Sequence, residues 1–375
     1  MRVLMVSKAC VVGIYQRKLE AIARLGVDLH VLVPPVWADP SGPVPLERAH
    51  LDGYRLLVEP LRFNGNYHLH YFPSLEQHVR ALRPSIIHID EEPYNLAAWH
   101  ALWLARRAGA RTVFFSWQNI RRRYPPPFSL GEAWVLRTAD HAIAGTESAA
   151  AVWREKGYRG PLDVIPQFGV DPEQFAPAAP STDSPDREPA IGFVGRLRYE
   201  KGVDLLIHAL GRLVAAGQAA ALYIAGQGPE RPALERLARD LGLAAHVHFL
   251  GQMPSAQMAG FYSRMDVVVL PSRTLPNWKE QFGRVLIEAM ACGVPVVGSD
   301  SAAIPGVIGD GGLVFPEGSA DALADRLATL LRDPDQRARI STRGRARVLA
   351  HFTHQGVANR TVRVYRAMLR QASDT

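Results

Sequence analysis

The sequence predicts an α/β protein built as two parallel-sheet units in tandem, and three observations predict it. Short apolar runs alternate with helix-period segments from end to end, the pattern of parallel sheets covered by helices on both faces. A chain of 375 residues is too long for one ordinary core and suits two domains of about 180 residues each. The stretch from Phe175 to Pro189 is rich in Pro, Ser and Ala and lacks periodicity, so it reads as a linker.

Taken in order, the apolar runs at 3–6, 29–33, 55–58, 86–89, 112–115 and 141–144 read as strands, with helical patterns near 15–25, 74–82, 95–107 and 131–139. The opening run, Met1 to Val6, has the look of a signal peptide, but Lys8 ends its apolar core and makes it a first buried strand. Past the linker, strands are expected near 190–194, 221–225, 247–250, 266–270, 295–297 and 312–315. Helices are expected near 203–216, 230–241, 256–263, 283–292, 319–332 and 335–349, and a last one from roughly Thr353 to Gln371. The domain bounds are then 1–174, a linker at 175–189, 190–352, and a terminal helical segment at 353–375.

Apolar content of 47% and charged content of 21% are those of a globular protein. No apolar run approaches the roughly 18 residues of a membrane helix. Cys10 and Cys292 give no disulfide framework, so a reduced, cytoplasmic protein is expected. The net charge of +7 is uneven, with +1 in residues 1–188 and +6 in 189–375. Much of the excess is Arg337, Arg339, Arg343, Arg345 and Arg347 on one helix. Such a run is ordinarily a solvated face; peripheral contact with an anionic membrane at the inner leaflet is the alternative. Nucleic acid is not expected as a partner, because no reading module accompanies the charge.

The most informative stretch is Glu280-Gln-Phe-Gly-Arg-Val-Leu-Ile-Glu288, running on to Val297 through Gly293-Val-Pro295. Val285, Leu286, Ala289 and Met290 recur at helical spacing. Glu280 then stands just before a helix and Glu288 about a turn and a half inside it. First-turn N–H groups, from Phe282 through Gly283 and Arg284 to Val285, lack intrahelical partners and suit a phosphate or a sugar hydroxyl. A carboxylate on each side of that nest can accept from two polyhydroxylated groups, such as a sugar and a ribose joined by a diphosphate. Upstream lies Gly192-Phe-Val-Gly-Arg196, followed by Lys201-Gly202.

In order and spacing these two segments resemble the signatures of the retaining family 4 glycosyltransferases of the GT-B class. The resemblance implies two Rossmann-like domains facing across a cleft, with the last helix returning to the first domain. It also implies that a sugar moves from a nucleotide-sugar donor, UDP- or GDP-linked, to a hydroxylated acceptor, which can be lipid-linked. Neither cofactor nor metal is expected. Arg196 and Lys201 would hold the diphosphate, where two fixed cations stabilise the charge of the departing nucleotide. Glu280 would serve the transferred sugar and Glu288 the ribose. Asp333-Pro-Asp335, the one Asp-x-Asp, reads as helix-start chemistry and not as a metal ligand.

Further donor contacts are expected at strand ends, where open α/β sheets bind ligands. They are Gly195 itself, Gly226 and Gly228 of Ala225-Gly-Gln-Gly-Pro229, and Leu250 before Gly251. In the first half, Gly13 occupies the family's Gly-rich loop position. Where relatives carry His-Glu-Pro, the segment His88-Ile-Asp-Glu-Glu-Pro93 puts Glu91 at the His position, as a group to orient an acceptor hydroxyl. Asn119, beside Gln118 and ahead of Arg121-Arg-Arg-Tyr124, is the other acceptor candidate. Trp99 and Trp103 share a helix, and their spacing favours the core over membrane anchoring. His68 and His70 read as loop residues. Two alternatives to sugar transfer stay open, a catalytically silent partner subunit and another GT-B chemistry such as phosphorolysis or epimerisation.

Overall fold

The computed structural model describes residues 1–40, 42–178 and 187–370. The chain divides into two compact units, Val170–Thr353 on one side and Met1–Gly169 joined by the segment from His354 on the other.

The described residues of the first unit form the strands β1 (Arg2–Val6), β2 (Asp28–Val33), β3 (Val36–Asp39), β4 (Gly42–Pro45), β5 (Arg55–Val58), β6 (Ile86–Ile89), β7 (Arg111–Ser116), β8 (His141–Ala144) and β9 (Leu162–Val164). Seven form one parallel sheet in the order β5-β2-β1-β6-β7-β8-β9, while β3 and β4 pair as a separate antiparallel hairpin. The helices are α1 (Gly13–Arg24), α2 (Leu75–Leu82), α3 (Leu96–Ala108), α4 (Phe128–Thr138) and α5 (Glu147–Glu155). Central strands read as unbroken apolar runs because both faces are covered: Val3, Leu4, Met5 and Val6 are all fully buried. Odd and even positions feed two clusters, Val3 and Met5 with Ile22 and Val357, and Leu4 and Val6 with Leu102 and Trp153. The last helix, His354–Arg370, belongs to this unit and packs along α1; residues from Gln371 lie outside the described ones.

The second unit has β10 (Ala190–Val194), β11 (Ala221–Ala225), β12 (Val247–Gly251), β13 (Val267–Leu270), β14 (Val296–Ser299) and β15 (Gly312–Phe315), all parallel in the order β12-β11-β10-β13-β14-β15. Its helices are α6 (Val203–Ala215), α7 (Arg231–Asp240), α8 (Met258–Tyr262), α9 (Arg284–Ala291), α10 (Ile304–Ile308), α11 (Ala320–Arg332) and α12 (Pro334–His351), and the helix from His354 is α13. Asp333 caps α12, its carboxylate accepting from the Gln336 N–H at 2.8 Å, which is the helix-start role its spacing suggested.

Two expectations are corrected. The change of unit falls at Gly169/Val170, ahead of the expected linker: the Val170 N–H donates to the Phe352 carbonyl at 2.8 Å, and Phe175 is buried beside Tyr262. Residues 179–186 of that linker lie outside the described ones. The arginine run on α12 is also more than a solvated face. Arg347 donates to the carbonyls of Gly306 and Val307 at 2.7 and 2.9 Å, Arg345 to those of Ala291 and Phe175, and Arg337 to Leu330. Apart from the Phe175 contact, these guanidiniums meet carbonyls at the carboxyl ends of α10, α9 and α11, where the last carbonyls lack intrahelical donors.

Candidate active site at the two switch points

In each sheet the strand order reverses once, between β1 and β6 in the first unit and between β10 and β13 in the second. The loops leaving the carboxyl ends of such strands diverge and leave a crevice. The sequence-predicted residues collect there.

In the second unit, β10 ends at Val194 and the chain passes through Gly195 and Arg196. Gly195 N–H donates to Ala225 O at 3.0 Å and Leu197 N–H to Gln227 O at 2.9 Å, which ties this loop to the one after β11. A β-carbon on Gly226 would collide with the Gly195 carbonyl, and one on Gly228 with Leu197, so two glycines let the loops lie backbone to backbone. Arg196 is exposed, and among the described residues no ion pair engages it. Lys201 is engaged: its ammonium donates to Glu280 at 2.6 Å and lies 4.9 Å from the Trp278 ring centre. Glu280 is buried, and Ser272 Oγ donates to the same oxygen at 3.0 Å. The segment carrying Ser272 is anchored by Arg273, forked onto Asp204 at 2.7 and 2.6 Å.

Gly283 stands at φ +83° immediately before α9, a left-handed conformation that bends the chain from Glu280 into the helix. Phe282 is buried with its ring against Phe352, so only its main chain can meet a ligand. Glu288 is buried on the first turns of α9, accepting from Tyr262 OH and from Arg284 Nε at 2.8 Å each. Burial raises its carboxyl, and Arg284 and Tyr262 pull it back. Val285 is partly buried, and Leu250 is 47% exposed.

In the first unit β6 ends at Ile89, and three carboxylates follow in a row. Asp90 accepts from Ser7 Oγ at 2.6 Å and Gln167 Nε2 at 2.8 Å. Glu91 takes the Lys8 main-chain N–H at 3.0 Å, the Lys8 ammonium, His70 at 3.2 Å and Asn95 at 3.2 Å. Its side chain has no exposed surface. Burial pushes its pKa up, but Lys8 and His70 outweigh that and hold it at about 2. Glu91, expected to orient an acceptor, is thus enclosed by protein groups and braces the loop after β1. Glu92, beside it, was not singled out from the sequence. It is half-buried and accepts from Ser116 Oγ at 2.5 Å and Trp117 N–H at 2.9 Å. Burial raises it to about 7; its two hydrogen-bond partners are neutral and offset that only in part, while the charges of Lys8 and Glu91 act on it in opposite directions. The one signal in the sequence was the double Glu at a strand end.

Asn119 is buried three residues past β7, on the same side as Glu92. Gly13 opens α1, and its N–H donates to the Glu47 carboxylate at 2.6 Å. His68 sits among the rings of Tyr94, Tyr124 and Phe128 at 5.1–5.7 Å, and His70 is spent on Glu91.

Comparison with known proteins agrees with this arrangement. The family described as glycosyl transferases group 1 matches residues 176–347, and the glycosyl transferase 4-like domain matches residues 14–167. A GDP-mannose-dependent monoacylated alpha-(1-6)-phosphatidylinositol monomannoside mannosyltransferase of Corynebacterium glutamicum is 34% identical over 207 residues, 52% of this chain and 54% of that protein. The match thus spans about half the length of that relative. A D-inositol 3-phosphate glycosyltransferase of Frankia alni is 31% identical over 318 residues, 77% of this chain and 76% of that protein. The sucrose-phosphate synthase of Thermosynechococcus elongatus superposes with a TM-score of 0.75 over 99% of this chain and all of its own, at 23% identity, and shows the shared fold. With both halves matched in order, this chain belongs to the retaining family 4 glycosyltransferases of the GT-B class.

Proposed function

We propose that this protein moves a hexosyl group from a nucleoside diphosphate sugar to a hydroxyl of an inositol phosphate or of its lipid, with retention at the anomeric carbon. The observation that carries the reading is the pair of cations that follows β10: an exposed Arg196, which no ion pair engages among the described residues, and Lys201, which is fixed by Glu280. In the reaction the bond between sugar C1 and the β-phosphate oxygen breaks, and one from C1 to the acceptor oxygen forms on the same face. As the bond to C1 breaks, its electron pair stays on the phosphate oxygen and negative charge grows on the nucleoside diphosphate, and the acceptor proton passes to that departing oxygen. Arg196 and Lys201 meet that charge more strongly in the transition state than before it. Positive charge supplied by side chains makes a metal unnecessary on this reading.

Glu280 holds Lys201 and, in turn, accepts from sugar hydroxyls, while Glu288 serves the ribose. The main chain at Gly195, Gly226, Gly228, Leu250, Phe282, Gly283, Arg284 and Val285 receives the phosphates and base, while Gly13, at the start of α1, gives its N–H to Glu47. On the acceptor side Glu92 replaces Glu91 as the orienting carboxylate, with Asn119 near it. The names of the relatives favour GDP-mannose as donor and an inositol-based acceptor. A lipid-linked acceptor would place the work at the cytoplasmic face of a membrane; no helix among the described residues is long and apolar enough to cross one.

A thermal-shift panel with UDP, GDP, ADP and TDP tests the donor, with GDP or UDP expected to raise Tm most. Product analysis with inositol phosphate and the matching sugar nucleotide tests the reaction. An inverted anomer by NMR, or product formed only with free phosphate as acceptor, would refute it.

A further inference from the structure

The outer face of α3 and α4 in the first unit exposes two large apolar side chains on adjoining helices. Trp103 is 44% exposed and Leu130 66% exposed, where the spacing of Trp99 and Trp103 had favoured the core. Trp99 itself is partly buried: it touches the Phe128 ring at 5.9 Å, and a β-carbon on Gly131 would strike its indole. That contact sets Leu130 beside α3, and Trp103 follows one turn along the same stripe. The next turn brings Arg107, whose guanidinium lies 4.6 Å from the Trp103 ring centre, with Arg106 exposed beside it.

The charge is as lopsided as the burial. Helices α3 and α4 carry three arginines, Arg106, Arg107 and Arg137, and a single acidic residue, Glu132, and the loop leading into α4 adds Arg121, Arg122 and Arg123, although the first 188 residues balance to +1. Glu132 is buried and paired with Lys156 at 2.5 Å, so it offers nothing to the surface. Large apolar side chains standing out from a cationic face suit an interface between hydrocarbon and anionic headgroups: rings and leucine reach the acyl boundary while guanidiniums meet phosphates. On α12, by contrast, Arg337, Arg345 and Arg347 are spent on carbonyls, Arg339 faces Asp333, and Arg343 alone among the run is left exposed without such a contact among the described residues.

We propose that the α3–α4 face is the surface by which this protein docks on anionic lipid bilayers, Trp103 and Leu130 entering the interface and Arg106 and Arg107 binding lipid phosphates. The proposal gives a location to the lipid-linked reading of the acceptor, on which its purpose rests. It is tested without turnover, by co-sedimentation with phosphatidylcholine vesicles containing or lacking phosphatidylglycerol. The parent protein should bind the anionic vesicles only, and salt should release it. Trp103→Ala combined with Leu130→Ser should lower the partition coefficient by about tenfold or more. Arg106→Gln and Arg107→Gln should each lower it roughly fivefold, near 1 kcal/mol per charge. Arg343→Gln, on α12, should leave it unchanged. These side chains are exposed, so each variant should keep the parent's Tm.

Absence of parent binding to anionic vesicles overturns the proposal, as does undiminished binding by the Trp103/Leu130 variant. A shift of that variant from dimer to monomer in sedimentation, with vesicle binding intact, would make the face a self-association surface and equally overturn it. Transfer to soluble inositol phosphate without vesicles reports separately on the enzyme. Parent and α3–α4 variants should share one rate there, and a parent that binds vesicles but transfers nothing would sink the sugar-transfer reading alone.

Discussion

The two switch points use carboxylates in opposite ways. At β10/β13 a buried Glu280 fixes Lys201, and among the described residues no ion pair engages the exposed Arg196, so the site has positive charge to give. At β1/β6 the acids come first. Glu91 consumes a lysine, a histidine and an asparagine, and Glu92 has only a hydroxyl and a main-chain N–H. One switch point thus shows an exposed cation and the other a carboxylate whose hydrogen-bond partners are neutral. A charge already met by the protein holds loops in place, and a charge left unmet is what a ligand answers.

The largest effect should come from removing the unmet charge. Arg196→Ala and Lys201→Ala are expected to lower kcat by about 10²–10³ with the fold intact, since each removes a group aimed at charge that develops in the transition state. Steady-state kinetics with circular dichroism checks this; turnover within about threefold of the parent in both would end the comparison on the donor side. EDTA should leave initial rates nearly unchanged, and a loss restored by magnesium would show that side-chain cations are insufficient.

A smaller effect is expected at the other switch point, and it sharpens the contrast between neighbours. Glu92→Gln should raise the acceptor KM or lower kcat by about tenfold in total while sparing the donor Kd, because one oriented hydrogen bond contributes about 1.4 kcal/mol. That is less than the roughly 10²–10⁴ of a true general base. Glu91→Gln should change the acceptor KM little and Tm more. An acceptor defect in Glu91→Gln without a change in Tm would restore Glu91 to the role its position in the motif suggested.

Why the donor half was legible and the acceptor half was not follows from how each is assembled. Glu280, Phe282, Gly283 and Glu288 lie within nine residues, and their spacing is itself the loop-to-helix geometry. The acceptor side gathers Lys8, His70, Glu91, Asn95 and Ser116 across more than a hundred positions, and no local pattern records that they meet. The same holds for secondary structure. Strands buried on both faces announced themselves as apolar runs, whereas α5, the three-residue β9, the five-residue α10 and the Pro-flanked β3–β4 hairpin are too short or too mixed to show periodicity. Trp99 and Trp103 have one spacing and two fates, because an i, i+4 pair fixes the stripe but not what covers it.

The smallest and most discriminating effect is on stability against pH, where Glu91 and Glu92 should pull in opposite directions. Glu91 has its folded pKa lowered to about 2 from the ordinary 4.5, so between those values the folded chain holds fewer protons than the unfolded one. Its contribution is complete above pH 4.5 and is lost as pH falls toward 2. Glu92 has its folded pKa raised to about 7, so from pH 4.5 upward the folded chain keeps a proton that the unfolded chain has released. Stability then falls as pH rises through that window and levels off above 7. Melting curves of the two Gln variants against the parent separate the terms. Glu91→Gln should flatten the acid limb, and Glu92→Gln should remove a decline of a few degrees between about pH 4.5 and 7. If Glu92→Gln melts in parallel with the parent across that window, its carboxyl is ionised throughout, and the second switch point offers a fixed negative charge where a neutral, proton-sharing one is expected.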